Sequence, residues 1–90
     1  MNRYTVHDLV RDLRSGKYTS FGSHPTYFLT SDGEALSHEA VRENIWQVAR
    51  STRDQSRDGW AIVGFDVNWE NKDLFCSYTG KRIESAYAED

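Results

Sequence analysis

Four side chains of this sequence have the chemistry to bind a soft or borderline metal ion: the thiol of Cys76 and the imidazoles of His7, His24 and His38. Structural zinc sites take four such ligands, usually from pairs spaced as C-x-x-C or H-x-x-x-H. No two of these residues have either spacing. A lone cysteine in a strand is more often a small buried hydrophobic residue. Residue types alone therefore predict no closed metal site.

The motifs of common enzyme classes are also missing. There is no G-x-S-x-G elbow, no phosphate loop among the scattered glycines, and His38-Glu39 lacks the second histidine of H-E-x-x-H. Asp66, Asn68 and Glu70 occupy every second position where a predicted strand runs into a turn. Their side chains are therefore expected on the same face of the sheet. That face is either a solvated sheet surface or, in the enzymatic alternative, a site for a divalent cation. We expect a protein that is not an enzyme and needs no cofactor.

One surface stripe has the composition of a binding site. Its residues follow each other at steps of 4, 4, 3 and 4 along the predicted second helix: Arg42, Trp46, Arg50, Arg53 and Arg57. Arginine and tryptophan are the residues that dominate protein–protein contacts, and they also bind phosphates and stack on bases. Acidic residues flank both ends, which leaves a self-neutralised, solvated face as the structural alternative: Glu39, Glu43, Asp54 and Asp58.

Net charge and its distribution limit the class of molecule that the protein can be expected to bind. The chain has 90 residues and a net charge of −3, which excludes a generally basic nucleic-acid binder. Residues 1–57 carry a net +1 and residues 58–90 a net −4, an asymmetry that can orient an encounter. We therefore expect a protein partner, with nucleic acid at the stripe as the alternative.

Length and hydropathy set the remaining expectations. Ninety residues with 38% hydrophobic side chains predict a single domain over residues 1–90 with a small core. No apolar run is long enough for a membrane span, and the first residues lack the apolar segment of a signal peptide. A single cysteine fits a reducing compartment. We expect a cytoplasmic protein that does not bind membranes.

The elements that position these residues can be predicted from the hydrophobic pattern. A capping box at Thr5–Asp8 and apolar residues at Val6, Leu9, Val10 and Leu13 predict a helix over about 5–15, which Gly16 ends. Asp32-Gly33 predicts a hairpin turn between short strands at 26–30 and 35–36. A second helix is predicted over about 38–53, with Ser37 as its N-cap.

The residues after the second helix are predicted to form strands. Alternating residues predict a main strand over 60–69, with one apolar face: Ala61, Val63, Phe65, Val67 and Trp69. Two shorter strands are predicted at 74–78 and 82–85. The order α-β-β-α-β-β-β indicates an α+β fold with two helices packed on one face of a small antiparallel sheet.

The C-terminal part of the chain carries a longer pattern. Residues 67–90 read VNWENKDLFCSYTGKRIESAYAED. This segment resembles the end of small, uncharacterised phage and prophage proteins, whose pattern is N-W-E-x-x-x-L-x-C-x-x-C-G-x-x-I-x-S-A-Y. In those proteins a second C-x-x-C lies between a D-G hairpin and the following helix. The resemblance covers about residues 25–90 and suggests a phage or prophage accessory protein, a class that includes inhibitors of host defence complexes.

This resemblance implies a degenerate zinc ribbon. Four positions correspond to the zinc ligands: Ser37, Ala40, Cys76 and Thr79. Only Cys76 keeps a thiol, so the vestigial site cannot hold a structural zinc ion. We expect the four positions to cluster, with packing or hydrogen bonds in place of the metal. If the surface stripe instead binds nucleic acid, the protein is an adaptor derived from a zinc ribbon.

Overall fold

The structure is a computed structural model that describes residues 3–19, 22 and 24–86. Its elements are α1 (Val6–Ser15), β1 (Thr26–Thr30), β2 (Ala35–Leu36), α2 (His38–Glu43), α3 (Ile45–Asp54) and β3 (Ile62–Val67). The strands form an antiparallel sheet in the order β2-β1-β3. The predicted α+β class is confirmed, while several elements differ from the predicted order.

Helix α1 begins and ends close to the predicted positions. The Thr5 hydroxyl accepts a hydrogen bond from the backbone N–H of Asp8 at 3.1 Å, and the Asp8 carboxylate accepts one from the Thr5 N–H at 2.9 Å. Gly16 ends the helix at φ 88°, a conformation that glycine adopts without strain. Leu9 is fully buried, but Val10 is 41% exposed. The apolar stripe predicted for this helix therefore reaches the surface at Val10.

The predicted second helix is two helices, which corrects the sequence interpretation. Asn44 lies between α2 and α3 at φ −119° and ψ 32°. Its side-chain amide donates to the carbonyl of Ala40 at 2.9 Å, the same carbonyl that its backbone N–H reaches at 3.2 Å. A side chain that competes for a helical carbonyl disturbs the helix locally. The residues before and after Asn44 therefore do not follow one straight helical stripe.

The alternation predicted for the main strand is broken by a register shift. Leu29 pairs with Gly64, whereas Thr30 pairs with Ile62, so Val63 is the extra residue of a bulge. Ile62 is buried and Val63 is 51% exposed. The predicted apolar face that included Val63 was therefore wrong at this end of the strand.

The two predicted C-terminal strands are reduced to isolated bridges. Phe75 bridges Arg82, and Cys76 bridges Ala35 of β2. Strand β2 is only two residues long because Ser37 already caps α2, so it offers little edge for a further strand. The segment instead folds back on itself, with the N–H of Ile83 donating to the carbonyl of Leu74 at 2.8 Å.

Asn68 holds this segment against the sheet. Its buried side-chain amide donates to the carbonyls of Asn71, Ile83 and Glu84 at 3.0, 3.2 and 3.1 Å. Its backbone carbonyl accepts from the N–H of Ala86 at 2.8 Å. Asn68 is therefore the residue through which the end of β3 fixes the C-terminal segment.

The hydrophobic core lies between the sheet and the helices. It draws residues from every element and from the C-terminal segment: Leu9, Phe28, Ala35, Leu36, Ala40, Val41, Val48, Ile62, Cys76 and Ile83. No helix among the described residues is long and apolar enough to cross a membrane.

Candidate partner-binding surface

Trp46 is the most exposed large hydrophobic side chain of the described residues, at 84%. It lies in the first turn of α3, next to a shallow groove of about 360 Å³. Ala49, Arg50 and Arg53 of α3 and Val6 of α1 line the rest of this groove. The structure therefore brings three residues of the predicted stripe to one place and adds an apolar lining. We call these five residues the Trp46 groove.

The arginines of the Trp46 groove differ in their partners. Arg53 forms an exposed ion pair with Asp54 at 3.0 Å. Asp54, one of the acidic residues that flank the predicted stripe, is therefore the partner of Arg53. Within the described parts of the chain, Arg50 has neither a hydrogen-bond nor an ion-pair partner. One unpaired guanidinium thus stands beside an exposed indole.

The two ends of the predicted stripe lie elsewhere. Arg42 belongs to α2, before the break at Asn44, and its guanidinium donates to the carbonyl of Leu13 at 3.1 Å. This bond satisfies a carbonyl of the last turn of α1 and complements the helix dipole. Arg57 follows α3 and lines a different cavity, of about 550 Å³, together with Arg3 and Ser56. The stripe is therefore divided among three environments.

Helix α1 contributes residues that the stripe on the second helix did not include. The first turn of α1 lies beside Thr52 and Arg53 at the end of α3, while its last turn accepts the bond from Arg42, which precedes α3, so α1 and α3 run in roughly opposite directions. Beside the groove, α1 exposes Val10 and Arg14, which line a second depression with His7 and Arg11. Within the described residues Arg14 has no hydrogen-bond or ion-pair partner. The residue that could have indicated this contribution of α1 is Val10, which the predicted apolar stripe had placed in the core.

The four positions that the resemblance singled out also lie together. The backbone N–H of Ser37 donates to the Sγ of Cys76 at 3.4 Å, and the Ser37 hydroxyl accepts from the N–H of Ala40 at 3.2 Å. Thr79 lies close enough to the Cys76 sulfur to lower the pKa of the thiol. The turn closes where the N–H of Gly80, at φ 73°, donates to the carbonyl of Cys76 at 2.8 Å. We call these four residues the Cys76 corner.

The electrostatics of the Cys76 corner favour the thiolate. Burial raises the pKa of the Cys76 thiol, but hydrogen bonds from Thr79 and Ser37 together lower it by more, so the net pKa is below the ordinary value. Donors aimed at a sulfur are the arrangement that also stabilises metal-bound thiolates. The described residues hold no group of three or more His, Cys, Asp and Glu side chains that would bind a metal ion.

The polar face proposed for a divalent cation is not formed. The Asn68 side chain is buried, and its amide donates hydrogen bonds to three backbone carbonyls. Asp66 is exposed, and its carboxylate accepts from the neighbouring backbone N–H of Val67 at 2.8 Å. Glu70 lies beyond the strand. The strand ends at Val67, so the even spacing of these three residues does not place them on one face.

Comparisons with protein families, curated proteins and solved structures give no match to this chain.

Proposed function

We propose that this chain is a non-enzymatic binding protein whose partner is another protein that contacts the Trp46 groove. The observation that carries this proposal is the 84% exposure of Trp46 next to Arg50. Leaving an indole in water forgoes the large free energy that its burial provides. Tryptophan and arginine are also the residue types that contribute most at the centre of protein interfaces. A partner that covers Trp46 would bury the indole and would also contact the neighbouring arginine.

The experiment is affinity capture from a lysate of the source cells, with partners measured by quantitative mass spectrometry. We expect wild type to enrich a protein that the Arg50→Glu/Arg53→Glu variant loses. The Lys72→Glu/Lys81→Glu variant is the matched control, because it makes the same change in net charge at two exposed lysines outside the groove. Equal recovery by all three proteins contradicts the proposal.

The resemblance of the C-terminal segment to phage and prophage proteins supports a more specific version. A small protein of that class that covers a host protein, such as a component of a defence complex, inhibits it by obstruction. This version predicts that the captured partner loses activity when the protein is added in a one-to-one ratio. The matched comparison is the Arg50→Glu/Arg53→Glu variant, which leaves the partner active.

A second candidate is a nucleic-acid-binding adaptor, and the observation that favours it is the unpaired Arg50 beside the exposed ring of Trp46. Such a pair can hold a phosphate and stack on a base. Binding of this kind weakens steeply with salt because counterions are released. An electrophoretic mobility shift with DNA or RNA at about 50 mM salt, lost at about 200 mM, supports the adaptor. Absence of a shift at the lower salt concentration excludes it.

A further inference from the structure

The Trp46 groove continues onto α1 as a two-helix surface. Val6 and Ala49 lie between the helices in the groove, and Val10 is exposed one turn further along α1. On α3 the lining of the groove runs from Trp46 to Arg53, which is roughly 10 Å at 1.5 Å per residue. A groove between two helices that is lined by apolar side chains can accept an amphipathic helix of a partner.

The charged residues around this surface indicate whether the partner helix carries acidic or basic side chains. Arg50 lines the groove and Arg14 lines the second depression with Val10, and neither has a hydrogen-bond or ion-pair partner within the described residues. Arg53 adds a third guanidinium, already paired with Asp54. The one carboxylate of α1 on the exposed side, Asp8, is held by Arg11 at 3.1 Å and by the cap of the helix. Among lysine, arginine, aspartate and glutamate, only arginine lines the groove and the second depression, so the charge that they present is positive.

We infer that the segment of the partner that binds this surface is an amphipathic α-helix with acidic residues beside its apolar stripe. This inference rests on the proposed function and specifies its partner. The apolar stripe covers Trp46 and Val10, while the carboxylates pair with Arg14 and Arg50. Charge complementarity excludes a basic helix, because its charges would face unpaired guanidinium groups in a partly desolvated interface.

The test is an NMR titration of the ¹⁵N-labelled protein with designed helical peptides of about 14 residues, which span about 21 Å. One peptide carries leucine at i, i+3, i+4 and i+7 with glutamate beside the stripe, and the other has lysine in place of every glutamate. We expect the glutamate peptide to shift the indole N–H of Trp46 and the amides of Val6, Val10 and Ala49. The lysine peptide leaves them unchanged.

Two variants locate the contact. Trp46→Ala and Arg14→Glu should each weaken binding of the glutamate peptide at least about tenfold, whereas Lys72→Glu leaves it unchanged. Amide spectra of each variant without peptide report that the fold is intact.

Three results overturn the inference: equal shifts with both peptides, shifts elsewhere on the protein, or no shift with the glutamate peptide at millimolar concentration. Binding of a single-stranded oligonucleotide at the same residues, without binding of the glutamate peptide, also overturns it in favour of nucleic acid. Failure with the peptides leaves the proposed function standing if affinity capture still depends on Arg50 and Arg53. The two failures are therefore distinguishable.

Discussion

The backbone N–H of Ser37 donates a hydrogen bond to the Sγ of Cys76 at 3.4 Å across 39 positions of sequence. This bond joins the first residue of one predicted zinc-ligand pair to the first residue of the other. Thr79, the fourth position, lowers the pKa of the same thiol. The Cys76 corner thus joins the start of α2 to the C-terminal segment at one sulfur atom.

The first prediction is that thiols introduced at the other three positions of the Cys76 corner create a metal site. The triple variant Ser37→Cys/Ala40→Cys/Thr79→Cys should bind one Zn²⁺ per chain, because four thiolates from two tight turns complete a tetrahedral site. Zinc content after gel filtration, measured by atomic absorption, checks it. The natural chain should bind none.

The matched control places the last cysteine on the exposed residue Ser77 instead of Thr79. This Ser37→Cys/Ala40→Cys/Ser77→Cys variant has the same four thiols but only three that face the corner, so it should bind zinc more weakly. Equal zinc binding by both variants would mean that the corner does not have knuckle geometry.

A second prediction concerns Asn68. Replacing it with aspartate keeps the shape of the side chain but removes the amide that donates to the carbonyls of Asn71, Ile83 and Glu84. Buried carbonyls without a donor cost about 1–3 kcal/mol each, so Asn68→Asp should lower the free energy of unfolding by at least about 2 kcal/mol. Urea denaturation measures this loss.

The control for Asn68 is Asn71→Asp. The side-chain oxygen of Asn71 accepts one exposed bond, from the N–H of Asp73 at 3.0 Å, and a carboxylate can accept the same bond. This variant should therefore keep the wild-type stability. If the two variants were equally stable, Asn68 would not hold the C-terminal segment.

Local signals in the sequence predicted most of the fold. The capping box at Thr5 and Asp8 and the Asp32-Gly33 turn need only neighbouring residues, and both are found where they were expected. The break at Asn44 was missed because asparagine is compatible with a helix until its side chain selects a carbonyl. The bulge at Val63 was missed because a register shift depends on the partner strand rather than on alternation.

The candidate site was only partly predictable. Trp46, Arg50 and Arg53 come together because they lie on one continuous helix, for which periodicity is a reliable guide. Arg42 and Arg57 lie outside that helix and separate from the groove. The contribution of α1 depends on how two helices pack, which no spacing within one helix reports. Periodicity therefore identified three of the five groove residues, Trp46, Arg50 and Arg53, and missed Val6 and Ala49.

A third prediction follows from the buried imidazole of His38. Its Nε2 lies 2.9 Å from the hydroxyl of Thr26, which itself donates to the carbonyl of Lys17 at 2.8 Å. The hydroxyl must therefore accept from Nε2–H, which leaves Nδ1 as the unprotonated nitrogen. Nδ1 has no hydrogen-bond partner within the described residues. The rings of Phe28 and Phe65 lie against the imidazole, at centroid distances of 4.8 and 5.6 Å.

Burial, with repulsion from Arg42, lowers the pKa of His38 to about 4 from its ordinary 6.5. The unfolded chain therefore takes up the proton first as the pH falls, and stability decreases between about pH 6.5 and pH 4. Between about pH 7 and pH 5 the loss should be about 2 kcal/mol. Urea denaturation at the two pH values measures it.

The variant His38→Phe cannot titrate, so its stability should change less over this range, even though it loses the bond to Thr26. The control is Thr26→Val, which loses the same hydrogen bond but keeps the imidazole, so its stability should still fall as the pH is lowered. An unchanged pH dependence in His38→Phe would contradict the assignment of the buried proton site.

The account depends most on the claim that a partner covers Trp46. The direct measurement is photo-crosslinking in the source cells, with p-benzoylphenylalanine placed at position 46 or, as a control, at the half-exposed position Tyr78. We predict one discrete protein adduct from position 46, and we expect less of it when Arg50 and Arg53 are changed to glutamate. The control at position 78 should give no adduct of that mass. The same adduct from both positions, or none from position 46, would contradict it.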